Sequence, residues 1–156
     1  SLAMHDLIIA RVLHVLCVVL WIGGVAMVTL VLIPAVKNEP DAFERFESIE
    51  RRFATQSRIT VLLAGLSGFY MVWRLDLWAR FAELRFWWMH AMVAVWLIFF
   101  AMLFVLEPFV LHERLRSRAL RDPRGTMLRI QRLHWILLTL SLITVAGAVA
   151  GSYGAS

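Results

Sequence analysis

Four apolar stretches, at roughly residues 7–36, 57–77, 86–111 and 128–151, leave this chain little choice of fold. About 20 helical residues at about 1.5 Å each cover a hydrocarbon core about 30 Å thick. Lipid offers no partner to a bare N–H or C=O, so an apolar run that crosses must satisfy its backbone internally, as a helix does. The chain has 156 residues, of which 61% are apolar, and its mean hydropathy is +0.74. It is therefore expected to form one transmembrane domain over residues 1–156, an all-α integral membrane four-helix bundle with short connections. The first stretch has no small-residue cleavage site behind it and carries its positive flank after the apolar run, so it reads as a retained span.

The net charge of +5 and the pI near 10.6 do not point to nucleic acid, because the cations sort by side of the membrane. Twelve of them flank the first and third connections, from Lys37 to Arg58 and from Arg114 to Arg132; only Arg11, Arg74, Arg80 and Arg85 lie on the other side. Positive charge stays inside, which puts both termini on the outer (periplasmic) side. The first connection mixes its arginines with Glu39, Asp41, Glu44, Glu47 and Glu50. In it Phe43, Phe46, Ile49 and Phe53 recur at helical spacing, giving either an amphipathic helix lying on the interface or a solvated connector. The lone Cys17 excludes an intrachain disulfide.

Three histidines, His14, His90 and His134, fall inside the apolar stretches. Imidazole is costly to strand in hydrocarbon, so each reads as a ligand, a proton carrier or a hydrogen-bonded packing group. His14 lies about two turns, and His90 about one turn, inside the outer ends of their spans. Two imidazoles at one depth on different helices suit haem b, whose iron takes an axial nitrogen from each side, and make His14 and His90 the expected metal ligands. Arg11 sits one turn from His14 on the same face, placed for a haem propionate, with Arg74 and Arg85 placed for the second. Trp21 and Trp87 line the same faces, either packing on a ring or serving as core and interfacial aromatics. Gly23, Gly24, Gly65 and Gly68 suit the close approach of a flat macrocycle or ordinary helix packing.

His134 shares an inward stripe with Gln131, Ser141 and Ala148. It reads as a second haem ligand with His112, as part of a quinone site, or as an interhelical hydrogen bond. Glu107, beside Pro108, needs a partner, and Arg132 or His134 is expected to supply it. Pro34 and Pro108 both fall near the inner ends of spans that carry a histidine near the outer end. A rival ligand set is copper, since Met89, His90 and Met92 cluster and Cys17 lies one turn past His14, and soft sulfur ligands select Cu(I). The three clustered side chains cannot all point inward from one helix. No zinc-hydrolase pattern is present.

Arg-Val-Leu-His-Val-Leu-Cys-Val-Val-Leu-Trp-Ile-Gly-Gly over 11–24 resembles the opening span of the copper-resistance D (CopD) family and of the related HemJ-type protoporphyrinogen oxidases. The closing segment from Arg132 to Gly154 resembles the last CopD span, and Trp-Met-His-Ala-Met over 88–92 extends the likeness to a third helix. The resemblance implies a multi-pass protein of the bacterial inner (plasma) membrane that binds haem b, with His14 matching the histidine of the family's first helix. The HemJ pattern has a lysine in a His-Ala-Lys run where this chain has Met92. The chain is thus expected to be a haem b redox protein, a cytochrome passing electrons between a quinone-type or other redox partner and an acceptor on the outer side. A copper-binding or copper-transport protein is the alternative, and a HemJ-like protoporphyrinogen oxidase ranks last. The lipid bilayer is the expected surround, nucleic acid is not a partner, and the Gly147–Gly151 spacing serves either a homodimer or packing within the chain.

Overall fold

The computed structural model describes residues 2–154, and these contain helices and turns but no strand. A first rod runs through α1 (Leu2–Met27), a wide π-helical turn (Val28–Leu32) and α2 (Ile33–Val36). The chain returns through α3 (Ala42–Arg74) and two short 3-10 turns (Trp78–Ala82, Leu84–Phe86). A second rod joins α4 (Trp87–Ala101), a π-helical segment (Met102–Leu111) and α5 (His112–Arg121), and α6 (Pro123–Ser152) completes the bundle.

Local chemistry sets the breaks between rods. The α6 start is capped by the Asp122 carboxylate, which accepts from the Gly125 N–H at 3.0 Å, with Pro123 in the first turn. A side chain at Gly125 would run into that carboxylate. At the end of α3, Asp76 takes a left-handed turn (φ 52°). The Asp76 N–H donates to Trp73 O and the Leu77 N–H to Val72 O, a Schellman arrangement that uses Asp where Gly is commonest.

The rods alternate in direction, α1 packing mainly on α3 and α4 on α6. Asp6 meets Arg74, and Gly151 meets Trp88. Residues 2 and 154 therefore lie at one end, the terminal end, while the turn at 37–41, α5 and the start of α6 form the arginine-rich end. One buried cluster fills the middle, with Cys17, Trp21, Ala54, Val61, Phe99 and Leu137 among its members. A second fills the arginine-rich end around Ile33, Phe43, Phe46, Ala119, Met127 and Ile130. Outside, large apolar side chains stay exposed along α1 and α6, Ile9, Val12, Leu16, Val19, Ile136 and Ile143 among them. A face of that composition belongs in lipid.

Among the described residues three helices are long and apolar enough to cross a membrane: Met4–Val36, Leu84–Arg121 and Pro123–Ser152. The stretch expected at 57–77 is the second half of α3. It is less apolar because Arg58, Ser57, Thr60, Ser67 and Arg74 interrupt it, and it packs mainly on α1. The first connection is not a helix lying flat on the interface. Residues 42–56 continue straight into α3, and Phe43 and Phe46 are buried inside the bundle. Ile49 is exposed, so the inward stripe runs through Phe43, Phe46, Glu50 and Phe53 instead.

Candidate functional site

The stripe on α3 faces a cavity of about 230 Å³ in the arginine-rich half of the bundle. Its body is apolar: Gly24, Val25 and Val28 from the first rod, Phe43, Phe46 and Phe53 from α3, Phe99, Met102 and Leu103 from the second rod, Leu137 from α6. Its polar groups are Glu47, Glu50, Arg51 and Ser57 from α3, Glu107 from the π segment, His112 from α5, and Arg129 and His134 from α6. A cavity with apolar walls and a few convergent polar groups is the ordinary form of a small-molecule site.

Both π segments border it. Pro108 has no N–H, and the i→i+5 pattern of a π-helix would pair residue 108 with the Leu103 carbonyl. Arg58 fills that gap, its Nε–H donating to Leu103 O at 3.0 Å while its Nη2 lies 3.3 Å from Glu107 Oε2. Arg58, not Arg132 or His134, is thus the partner of Glu107. Arg51 bridges Glu47 (3.2 Å) and His112 Nε2 (2.8 Å), and the other ring nitrogen of His112 is 3.4 Å from Glu47. Among the described residues Glu50 has no hydrogen-bond or ion-pair partner. It lies ahead of residues 57–77, the stretch expected to cross, and burial, then the Glu107 charge, push its carboxyl up to about 7, with Arg58 and Arg51 opposing and Glu47 adding. His134 donates Nδ1–H to Ile130 O at 2.8 Å and meets Phe46 edge-on at 5.8 Å, which leaves Nε2 as an acceptor.

The residues expected to hold haem go to different partners. His14 directs Nδ1–H at Ala64 O (2.9 Å) and Ser67 Oγ (3.2 Å), packed over Gly68. Both nitrogens of His90 lie on carbonyls, Nδ1 on Phe86 O (3.1 Å) and Nε2 on Phe81 O (2.7 Å), with Phe81 edge-on to the ring. Phe81 was not foreseen as a partner. Arg74 pairs with Asp6 at 2.9 Å, and Tyr70 donates to the same carboxylate. Arg85 pairs with Glu83 and stacks on Phe86, as does Arg80, and Arg11 is exposed. Trp21 is buried edge-on to Phe99, its Nε1–H without a partner among the described residues.

The glycines read as a macrocycle floor are filled by side chains of the same protein. Gly65 lies under Trp96, whose Nε1–H donates to Val61 O, and Gly68 under His14. Gly147 and Gly151 seat Trp87 and Trp88, so that face packs within the chain. For haem, then, His14 keeps the arrangement a ligand needs, Nδ1–H on a carbonyl and Nε2 available, whereas His90 as oriented does not. Among the described residues no group of three or more His, Cys, Asp or Glu is placed to hold a metal ion. Cys17 is buried in the central apolar cluster and Met89 is buried on α4.

Sequence reasoning missed Glu50 and Arg58. The signal for Glu50 was present: a carboxylate at the spacing of Phe43, Phe46 and Phe53 stands inside an apolar stripe. Comparison with protein-family models, curated proteins and solved structures gives no match for this chain.

Proposed function

We propose that this protein crosses a bacterial plasma membrane four times, termini outward, and binds a small lipid-soluble molecule of the quinone class in the cavity at its cytoplasmic end. The observation that carries this reading is the cavity itself, about 230 Å³ with an apolar body and with Glu50 and His134 at its wall. An aromatic ring suits Phe43, Phe46, Phe53 and Phe99, a carbonyl oxygen suits the uncommitted carboxyl of Glu50 as a protonated donor, and the free Nε2 of His134, an acceptor, suits a hydroxyl. Such molecules reside in the bilayer, which suits a chain whose outer surface is apolar along three long helices. The reading keeps the quinone partner expected from the sequence and moves it to residues of α3, the π segment and α6.

The test is a calorimetric titration of the detergent-purified protein with a short-chain ubiquinone. Saturable binding is expected. It should be lost in Leu137→Trp, which fills the cavity from α6. Equal binding by wild type and Leu137→Trp contradicts the site.

A second reading, haem b bound through His14, is favoured by one observation: the Nδ1–H of His14 is fixed on Ala64 O. A haem-binding histidine is oriented in this way, and the group when bound supplies one-electron chemistry.

A further inference from the structure

The acidic groups of the cavity allow a sharper statement, which rests on the ligand reading above. Glu50 occupies a core position of α3 between Phe46 and Phe53, half-buried and, among the described residues, without a hydrogen-bond or ion-pair partner. The two arginines whose charge acts on it are committed. Arg58 holds Glu107 and the Leu103 carbonyl, and Arg51 holds Glu47 and His112. A charge on Glu50 would therefore face Glu47 on its own helix and Glu107 on the π segment, without a cation of its own. From α5 and α6 the cavity receives His112, His134 and Arg129, and the first rod contributes only Gly24, Val25 and Val28. Two carboxylates at one partly dry site cannot both ionise cheaply, so one keeps its proton. Arg58 neutralises Glu107, which leaves Glu50 as the protonated member.

We propose that Glu50 enters the binding site as a neutral carboxylic acid and donates its O–H to an acceptor oxygen of the cavity ligand. The ligand class is thereby narrowed to neutral molecules with a carbonyl oxygen, the quinone rather than the quinol form, and binding requires the protonated site. Where only one protonation state is competent, apparent affinity scales with its population, so the dissociation constant rises about tenfold per pH unit above the titration midpoint. The raised carboxyl of Glu50, about 7, puts that midpoint near neutrality.

The experiment titrates a short-chain ubiquinone into the full-length protein between about pH 6 and 8.5, for wild type, Glu50→Gln and the exposed control Glu113→Gln. Infrared difference spectra of the ligand-free protein record the carbonyl band of protonated carboxyls over the same range. Glu50→Gln is uncharged and isosteric and retains an N–H donor, so it should fold and bind with a flat pH profile. Wild type and Glu113→Gln should weaken by about tenfold per pH unit on the alkaline side, in step with a carboxyl band that Glu50→Gln removes. Binding that is intact but equally flat in wild type, or a carboxyl band that survives Glu50→Gln, overturns the role of Glu50 while the ligand reading stands. No binding at any pH, with the protein folded, overturns the ligand reading and this inference with it.

Discussion

A neutral imidazole has two nitrogens and one proton, and its neighbours decide which nitrogen is left for chemistry. His14 and His134 each commit Nδ1–H to a carbonyl, of Ala64 on α3 and of Ile130 on their own helix respectively, and retain Nε2. His90 stands between two carbonyls, and a neutral ring can donate to only one of them. Spacing alone made His14 and His90 look equivalent, since depth in the membrane can be read from a sequence and ring orientation cannot. The difference is testable through the haem reading. If haem b binds through His14, protein expressed with a haem supply shows a Soret band that His14→Ala abolishes and His90→Phe leaves in place. A colourless wild type ends that reading.

At the scale of elements, the second rod shows how a proline becomes part of a site. Pro108 removes the donor that a π-helical turn would aim at Leu103 O, and the carbonyl is met from another helix by Arg58, which then also neutralises Glu107. An orphaned buried carbonyl costs about 1–3 kcal/mol. Arg58→Gln is accordingly expected to lower stability by about that amount in denaturant unfolding. Arg51→Gln, which breaks the exposed pair with Glu47, should cost about 0–1 kcal/mol. In Pro108→Ala a backbone N–H returns beside Leu103 O, so the cost of Arg58→Gln should shrink in the double variant. Strictly additive losses would show that Arg58 does not substitute for the missing donor.

Much of this was legible in advance and some was not, for physical reasons. The rods were legible because apolar runs of span length allow only helices, and Pro34 and Pro108 marked where two of them change pitch. The π geometry was not, since proline alone does not specify which wide turn accommodates it. Residues 42–56 misled because an amphipathic helix presents the same stripe whether it covers lipid or a bundle. The glycines misled for a related reason, because Gly65 under Trp96 and Gly147 under Trp87 show that a bare backbone receives whichever flat group packs there first.

At the scale of the whole molecule the two ends differ in kind. The terminal end is closed by local pairs, Asp6 with Arg74 and Tyr70 and Glu83 with Arg85, and by the tryptophans on Gly147 and Gly151. The arginine-rich end holds the cavity, the second π segment and most of the charge not locked in such pairs. The most direct test of that asymmetry is photolabelling of the protein in its native membrane with an azidoquinone, mapped by peptide mass spectrometry. The account predicts label on the cavity-lining segments, around residues 43–57, 99–115 and 129–137, displaced by excess unlabelled quinone. Label spread along the exposed faces of α1 and α6, or confined to the terminal end around His14 and His90, and unaffected by competitor, would contradict it.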